Sequence, residues 1–220
     1  NKGDDWEEIS DDLTTGGKRG NVPYGTITSF DESIFQFGKL VVGSDDGILS
    51  ISVDSGKSWK SINKNLPSDL WVSRVIFSKH ENNSIYLSLN GYRYNDFKPY
   101  IYLSDDNGDN WENISSNLPL SPVNVIREDI NRKESLYAGT DNGLFISFNN
   151  GKKWHPFESS LNRVAVHDLV IQNEKNDLLV GTHGRSIYKT NLDLFNDFMI
   201  EKNGEKPLIN FEINDLRHSK

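Results

Sequence analysis

The 220-residue chain contains no cysteine. That excludes a disulfide framework, a thiolate nucleophile and Cys-ligated zinc. It does not fix the compartment, because exported bacterial proteins can lack cysteine too. Long apolar runs are missing as well: nothing approaches the roughly 20 residues that cross a bilayer as a helix. The polar opening NKGDDWEEIS is no signal peptide, so any export signal is expected outside these residues. Basic residues are in deficit, 24 against 32 acidic for a net charge of −8, and they are scattered. Phosphate backbones are held by clustered Lys and Arg, so nucleic acid is not an expected partner. Methionine occurs once.

What is present points to strands. The chain is 35% hydrophobic and 25% charged, an ordinary globular composition for one or two compact domains. Eleven Phe, eight Tyr and five Trp supply large rigid side chains. Together with many Ser, Asn, Asp and Gly they favour short strands joined by turns, and the expected class is all-β.

One spelling recurs: Ser52-x-Asp54-x-Gly56-x-x-Trp59, Ser104-x-Asp106-x-Gly108-x-x-Trp111 and Ser147-x-Asn149-x-Gly151-x-x-Trp154. A truncated copy, Gly3-x-x-Trp6, opens the chain, and successive tryptophans stand 53, 52 and 43 residues apart. Such a period fits propeller blades. The unit around the second copy reads WVSRVIFS, SIYLSLN, YIYLS and NWENIS, a four-stranded meander. GTITSF, KLVVGS, GILSIS and SWKSI form the unit before it, and VNVIRED, SLYAGT, GLFISF and KWHPF the unit after. A last unit supplies VAVHDLVI, DLLVGT and SIYKT, then departs from the pattern.

The repeated turn has a structural explanation for every residue. Asp or Asn accepts hydrogen bonds from turn amides, Ser ties the other side, and Gly takes the positive φ. Trp then begins the next strand and buries its ring. SDDNGDN lacks the ligand spacing and terminal Glu of a calcium loop, and no metal or cofactor is expected.

These turns resemble the Asp-box, or bacterial neuraminidase repeat, of sialidases, sortilin-type receptors and xyloglucan-cleaving hydrolases. DLWVSRV, NDFKPYIYLSDDNGDNW, VNVIREDI, YAGTDNGLFISFNNGKKW, VHDL and VGTHGRSIY carry a closer resemblance. Together they look like the last blades of large exported bacterial proteins labelled glycosyl hydrolase or sortilin-like. The resemblance implies an extracytoplasmic β-propeller, secreted, periplasmic or at the cell surface, and no particular reaction.

The expected organisation is residues 1–191 as blades and 192–220 as an extension. Residues 1–15 give the last strand of a preceding blade. Residues 22–66, 70–118 and 122–160 form complete blades, and 164–191 a partial one. Because the chain opens inside a copy of the turn, a piece of a larger ring is favoured, with the remaining blades as partner. The alternative is a closed four-bladed ring in which DWEEIS completes the last blade, which would protect the sheet edges. In the tail, Leu192, Phe195 and Met199 fit one helical face, and LINFEIND alternates as a rival closing strand. Lys18 sits in a Gly-rich loop without the spacing of a phosphate loop.

Candidate ligand-binding residues lie on inner strands and loops. Arg74, Arg127 with Glu128 and Asp129, and His167 with Asp168 belong to inner strands; His183 and Arg185 belong to a turn. NGYRYNDFKPY adds Tyr92, Arg93, Tyr94, Asp96 and Tyr100. Aromatics beside Arg and Asp suit a glycan or protein ligand. Arg74 and Arg127 alternate with apolar neighbours, which also suits an interblade ion pair or a bond to a carbonyl. As neighbours in a strand, His167 and Asp168 are expected on opposite faces. A binding or scaffold module is the favoured function, with a glycoside hydrolase or a purely architectural domain as alternatives. A glycosidase needs two flanking carboxylates or an arginine cluster with a nucleophilic Tyr, and no catalytic residue is assigned.

Overall fold

The computed structural model describes residues 3, 5–16, 25–157 and 163–195, and the backbone of 214–215. Among them, sixteen strands form four antiparallel sheets. Blade 1 holds β1 (Ile27–Glu32), β2 (Leu40–Ser44), β3 (Leu49–Ser52) and β4 (Lys60–Ser61). Blade 2 holds β5 (Trp71–Phe77), β6 (Ile85–Asn90), β7 (Tyr100–Ser104) and β8 (Glu112–Asn113). Blade 3 holds β9 (Val123–Glu128), β10 (Leu136–Thr140), β11 (Gly143–Ser147) and β12 (His155–Pro156). Blade 4 holds β13 (Val166–Gln172), β14 (Asp177–Thr182), β15 (Ile187–Asn191) and β16 (Asn214–Asp215). Each sheet is a meander in chain order. The first strands neighbour one another, β1 against β5, β5 against β9 and β9 against β13. They form the inner edge about which four β-propeller blades stack.

The core is three seams between blades. Val41, Leu49 and Ile51 of blade 1 meet Val72, Val75, Phe77, Leu87 and Leu89 of blade 2. On the other face of blade 2, Ile76, Tyr86 and Ile101 meet Val123, Ile126, Ala138 and Trp154 of blade 3. Val125, Tyr137 and Ile146 then meet Leu169, Leu178 and Val180 of blade 4. Interior blades are therefore apolar on both faces. Each fully buried large aliphatic is worth roughly 1.5–3 kcal/mol, so the seams, rather than any single sheet, hold the chain. The outer faces of the end blades show the converse. Phe30 takes the register position of Val75, Ile126 and Leu169, all fully buried, yet it is 78% exposed. Ile187 stands where Ile101 stands in blade 2 and is also exposed.

A β-bulge interrupts each first strand, at Thr28, Ser73, Asn124 and His167. A bulge re-aims the side chain it carries, and at the first three the side chain reaches the next blade. Thr28 Oγ1 donates to the Val72 carbonyl at 2.7 Å, Ser73 Oγ to Val123 at 2.8 Å, and Asn124 Nδ2 to Val166 at 3.2 Å. The bulge also corrects one expectation: His167 and Asp168 do not alternate, and both are exposed.

The three full turns share one bonding pattern. Ser52 Oγ accepts from the Gly56 amide and donates to Asp54 Oδ1, both at 2.9 Å, and Oδ1 accepts from the Ser58 amide at 2.9 Å. Ser104, Gly108, Asp106 and Asn110 repeat this, as do Ser147, Gly151, Asn149 and Lys153. The indole N–H then crosses to the preceding unit, from Trp59 to Ile9 O at 3.0 Å, Trp111 to Ile62 O at 2.9 Å and Trp154 to Ile114 O at 2.8 Å. Glycine serves twice at this position. At Gly108 φ is +88°, and a Cβ would come within 2.7 Å of Ile62.

The opening copy is different. Trp6 is 91% exposed and its indole donates to Gly3 O at 2.9 Å within its own segment. Residues 5–16 form no strand, although Ile9 fills the place of Ile62 and Ile114. In the tail a single 3₁₀ turn spans Leu192–Phe195, with Leu192 buried in the last seam. Met199 and Lys18 lie outside the described residues. Within LINFEIND, Asn214 and Asp215 pair with Lys189 and Tyr188.

Two outcomes test this construction. Trp154→Phe leaves the Ile114 carbonyl without its donor in a buried seam and should cost about 1–3 kcal/mol in urea unfolding; Trp6→Phe should leave the midpoint unchanged. The bonds from Ser58 and Ser52 hold the Asp54 carboxyl at about 2. An unfolded Asp titrates at about 3.9, so on acidification the unfolded chain takes the proton first. The turn's contribution is complete above about pH 4 and disappears as pH falls through 2. Side-chain NMR titration of Asp54 should show that midpoint, and Ser58→Ala should raise it.

Candidate functional site

Three groups of candidate residues lie on inner strands or on loops at one end of the blades. The first is the 91–99 insertion between β6 and β7. Asn90 Oδ1 accepts from the Tyr92 amide at 2.9 Å and starts a 3₁₀ turn over Tyr92–Tyr94. Arg93 crosses to blade 1, where it pairs with Asp45 Oδ2 at 3.1 Å. Its guanidinium also lies 5.2 Å from the centre of the Trp71 ring. Asp45 is nearly buried and accepts from the Thr26 amide. Arg93 therefore ties the loop to blade 1 while remaining exposed.

Asp96 is likewise engaged, accepting from Tyr100 Oη at 2.6 Å. That bond pulls the Asp96 carboxyl below its ordinary range. Burial, reinforced by the same bond, pushes Tyr100 up to about 12. Beside exposed Arg93, Asn95 and Lys98, the loop offers three aromatic rings to solvent: Tyr92, Tyr94 and Phe97 are 61%, 41% and 46% exposed. Tyr92 and Phe97 meet edge to face, with centroids 6.0 Å apart at 76°. Phe97 escaped the sequence-based selection, although it lies inside the segment singled out. Trp71, the one tryptophan outside the repeat, signals a different task, and here it carries the Arg93 cation.

The second group lies on the inner strands. Arg74 Nη2 and Arg127 Nη2 donate to the same oxygen, Asp168 Oδ1, at 2.9 and 3.2 Å. Arg127 Nε also donates to the Leu169 carbonyl at 2.8 Å. Burial, and then the neighbouring Arg74 charge, pull Arg127 below its ordinary value. Asp31, nearby on β1, accepts from the Phe77 amide and from Lys79.

The third group is His167 and His183, whose rings lie 5.1 Å apart, with exposed Arg185 two positions after His183 in the same turn. No cluster of three or more metal-ligating side chains occurs among the described residues. Deeper in the same region, Asn90 donates to Asn124, which donates to Asp141 and across to Val166.

Glu128 and Asp129, adjacent to Arg127 in sequence, belong to the seams. Glu128 accepts from Ser78 Oγ, the Lys79 amide and Tyr86 Oη. Asp129 is fully buried and accepts from Arg132 and Tyr137. Burial foremost, with those two carboxylates next, raises the phenols of Tyr86 and Tyr137 far above neutrality. A cleft of about 750 Å³ between residues 7–13 and 55–59 lies at the first turn, away from all three groups.

No family model matches the sequence, and no curated protein matches it. Solved structures do. A GH74 xyloglucanase from Xanthomonas campestris superposes with a TM-score of 0.60 at 14% identity, over 74% of this chain and 29% of its own. YCF48 bound to D1 peptide gives 0.58 at 15% identity, over 89% and 56%. The extracellular domain of BT4673 from B. thetaiotaomicron gives 0.58 at 18% identity, over 80% and 22%. At such identities the similarity is one of fold. This chain spans less than two thirds of each of these three structures.

Removing the Arg93 side chain strands Asp45 and uncovers Trp71. Arg93→Ala should lower stability by about 1–3 kcal/mol in thermal or urea unfolding. Arg185→Ala, at an exposed residue without a hydrogen-bonding partner among the described residues, should leave stability unchanged.

Proposed function

We propose that this chain forms blades of an extracytoplasmic, bacterial propeller that binds a glycan or a protein at the surface carrying the 91–99 insertion. One observation carries the reading: Tyr92, Tyr94 and Phe97 stay exposed on a loop fixed at four points, by Asn90, by Asp45, by the Trp71 ring and by the Asp96–Tyr100 bond. Rigid exposed aromatics lose little side-chain freedom on binding and present flat faces to sugar rings or apolar peptide side chains. The fold's occurrence in an extracellular domain and in a peptide-bound protein supports both the compartment and the ligand class.

Within this proposal, residues 1–191 are the blades, with 1–15 in the place of a preceding blade's last strand and 164–191 as a partial last blade to which Asn214–Asp215 adds the fourth strand. Residues 192–220 are the extension, and further blades of the same propeller are partners. The turns of the Ser-x-Asp-x-Gly-x-x-Trp type act as Asp-box joints and not as a reaction centre.

A glycoside hydrolase is the second reading, favoured by the fold's similarity to a GH74 xyloglucanase. Hydrolysis by a carboxylate pair needs the two groups about 5–10 Å apart, one of them able to donate a proton. On the inner strands Asp31 and Asp168 are each paired with cations. That reading places its catalytic residues partly outside this chain.

Glycan-array and peptide-array binding should reveal a ligand whose affinity drops at least about tenfold, the ~1.4 kcal/mol of one lost aromatic contact, in Tyr92→Ala/Phe97→Ala. The circular dichroism of the double variant should match that of the parent chain. Unchanged binding in this variant rejects the aromatic surface. Release of reducing ends from xyloglucan by this chain reverses the order of the two readings.

A further inference from the structure

One pair of positions recurs at the loop end of the blades. The first is the bulge residue of the first strand, Thr28, Ser73, Asn124 or His167. The second follows the second strand. There Asp45, Asp141 and His183 donate their amides to the carbonyls two residues before the bulge, Thr26, Pro122 and Ala165, at 2.9, 3.1 and 2.9 Å. In blade 1 the second position is taken, because Asp45 holds Arg93 and the Thr26 amide. In blade 3 the two side chains bond directly, Asn124 Nδ2 donating to Asp141 Oδ1 at 2.8 Å. Blade 4 places an imidazole at each position. The rings of His167 and His183 have centroids 5.1 Å apart and planes inclined by 39°. Both residues are exposed, and neither imidazole is hydrogen-bonded to a described residue.

Two imidazoles at this separation suit a metal ion. A Zn–N bond of about 2.0–2.1 Å holds a ring centroid roughly 3.2 Å from the metal, so two ligands at a tetrahedral angle stand about 5 Å apart. Neutral imidazole is a ligand for copper, nickel and zinc, whereas calcium and magnesium take oxygen. We propose that His167 and His183 form a two-histidine site for a divalent transition metal, with its other positions open to water or to a donor atom of a bound molecule. Asp168, next in sequence to His167, is spent on Arg74 and Arg127, which leaves two protein ligands. Blade 3 shows that the bulge position can serve two partners at once: Asn124 Nδ2 bonds Asp141 and also reaches Val166 of the next blade. His167 has a second ring nitrogen for the same purpose, and a backbone carbonyl is the outer contact that metal-bound imidazoles keep. Neither histidine belongs to the 91–99 loop, so the site goes beyond the proposed binding function and does not depend on it.

Calorimetric titration of the tag-free 220-residue chain with Cu²⁺ and with Zn²⁺ tests the site. One ion per chain should bind, Cu²⁺ more tightly than Zn²⁺ in the usual order for nitrogen ligands, and Ca²⁺ should displace neither. His167→Gln and His183→Gln should each weaken Cu²⁺ binding at least about tenfold, no less than an outer-shell partner is worth at a metal site. His80→Gln, His155→Gln and His218→Gln, at the other three histidines of the chain, should leave it unchanged.

Electron paramagnetic resonance of the Cu²⁺-loaded chain should show nitrogen coupling from two imidazoles, falling to one in either single variant. Zn²⁺ should shift the imidazole C–H resonances of His167 and His183 together, a readout that needs no variant. Two rings that merely stack on each other produce neither signal. The proposal is overturned if the folded chain binds no ion, if either single variant binds as tightly as the parent, or if the coupling comes from one imidazole. Binding that is lost in His218→Gln overturns it as well. Metal binding should be unchanged in Tyr92→Ala/Phe97→Ala, so this site and the aromatic surface can each fail alone.

Discussion

Hydrogen bonds that cross from one blade to the next are the constraint on which this structure depends. A four-stranded meander satisfies its own ladder but leaves two apolar faces and no reason to stack at a given angle. Two polar contacts supply the register. At the inner edge a bulge turns Thr28, Ser73 or Asn124 toward a carbonyl of the next blade. At the turn between third and fourth strands an indole N–H reaches a carbonyl of the preceding unit. The apolar seams provide the stabilisation, and these directional bonds select one stacking among many.

The same arrangement explains which candidate residues are available to a ligand. Side chains that close a seam are consumed by it: Glu128 and Asp129 are saturated by neighbouring donors. Availability appears where a side chain projects past the seam. Tyr92, Tyr94 and Phe97 do so on an insertion, and His167 and His183 do so on blade 4. Any binding surface is thus built from what stacking leaves over.

Much of the fold was legible because its cause is local. Period-two runs such as SIYLSLN and YIYLS are strands wherever their apolar faces are covered, and the Ser-x-Asp-x-Gly-x-x-Trp spelling closes its turn through bonds spanning at most four residues. The bulges were not legible: nothing in VHDL distinguishes a regular strand from one with an extra residue, since the slip is defined only against β14. The expected alternation of His167 and Asp168 failed for that reason. Of the helix foreseen from Leu192, the described part, Leu192–Phe195, is a 3₁₀ turn with Leu192 buried in the last seam.

By itself the sequence determined the all-β class, the repeat and the internal chemistry of each turn, since these follow from side chains acting on backbone a few residues away. The tertiary structure alone decided what each turn grips and which charges meet. Trp6 and Trp154 share a spelling, yet one is exposed and the other buried, because an indole buries only where a neighbouring blade presents a carbonyl and an apolar wall. Arg74 and Asp168 are 94 positions apart and belong to blades that are not adjacent. Only stacking about a common axis brings such residues within bonding distance.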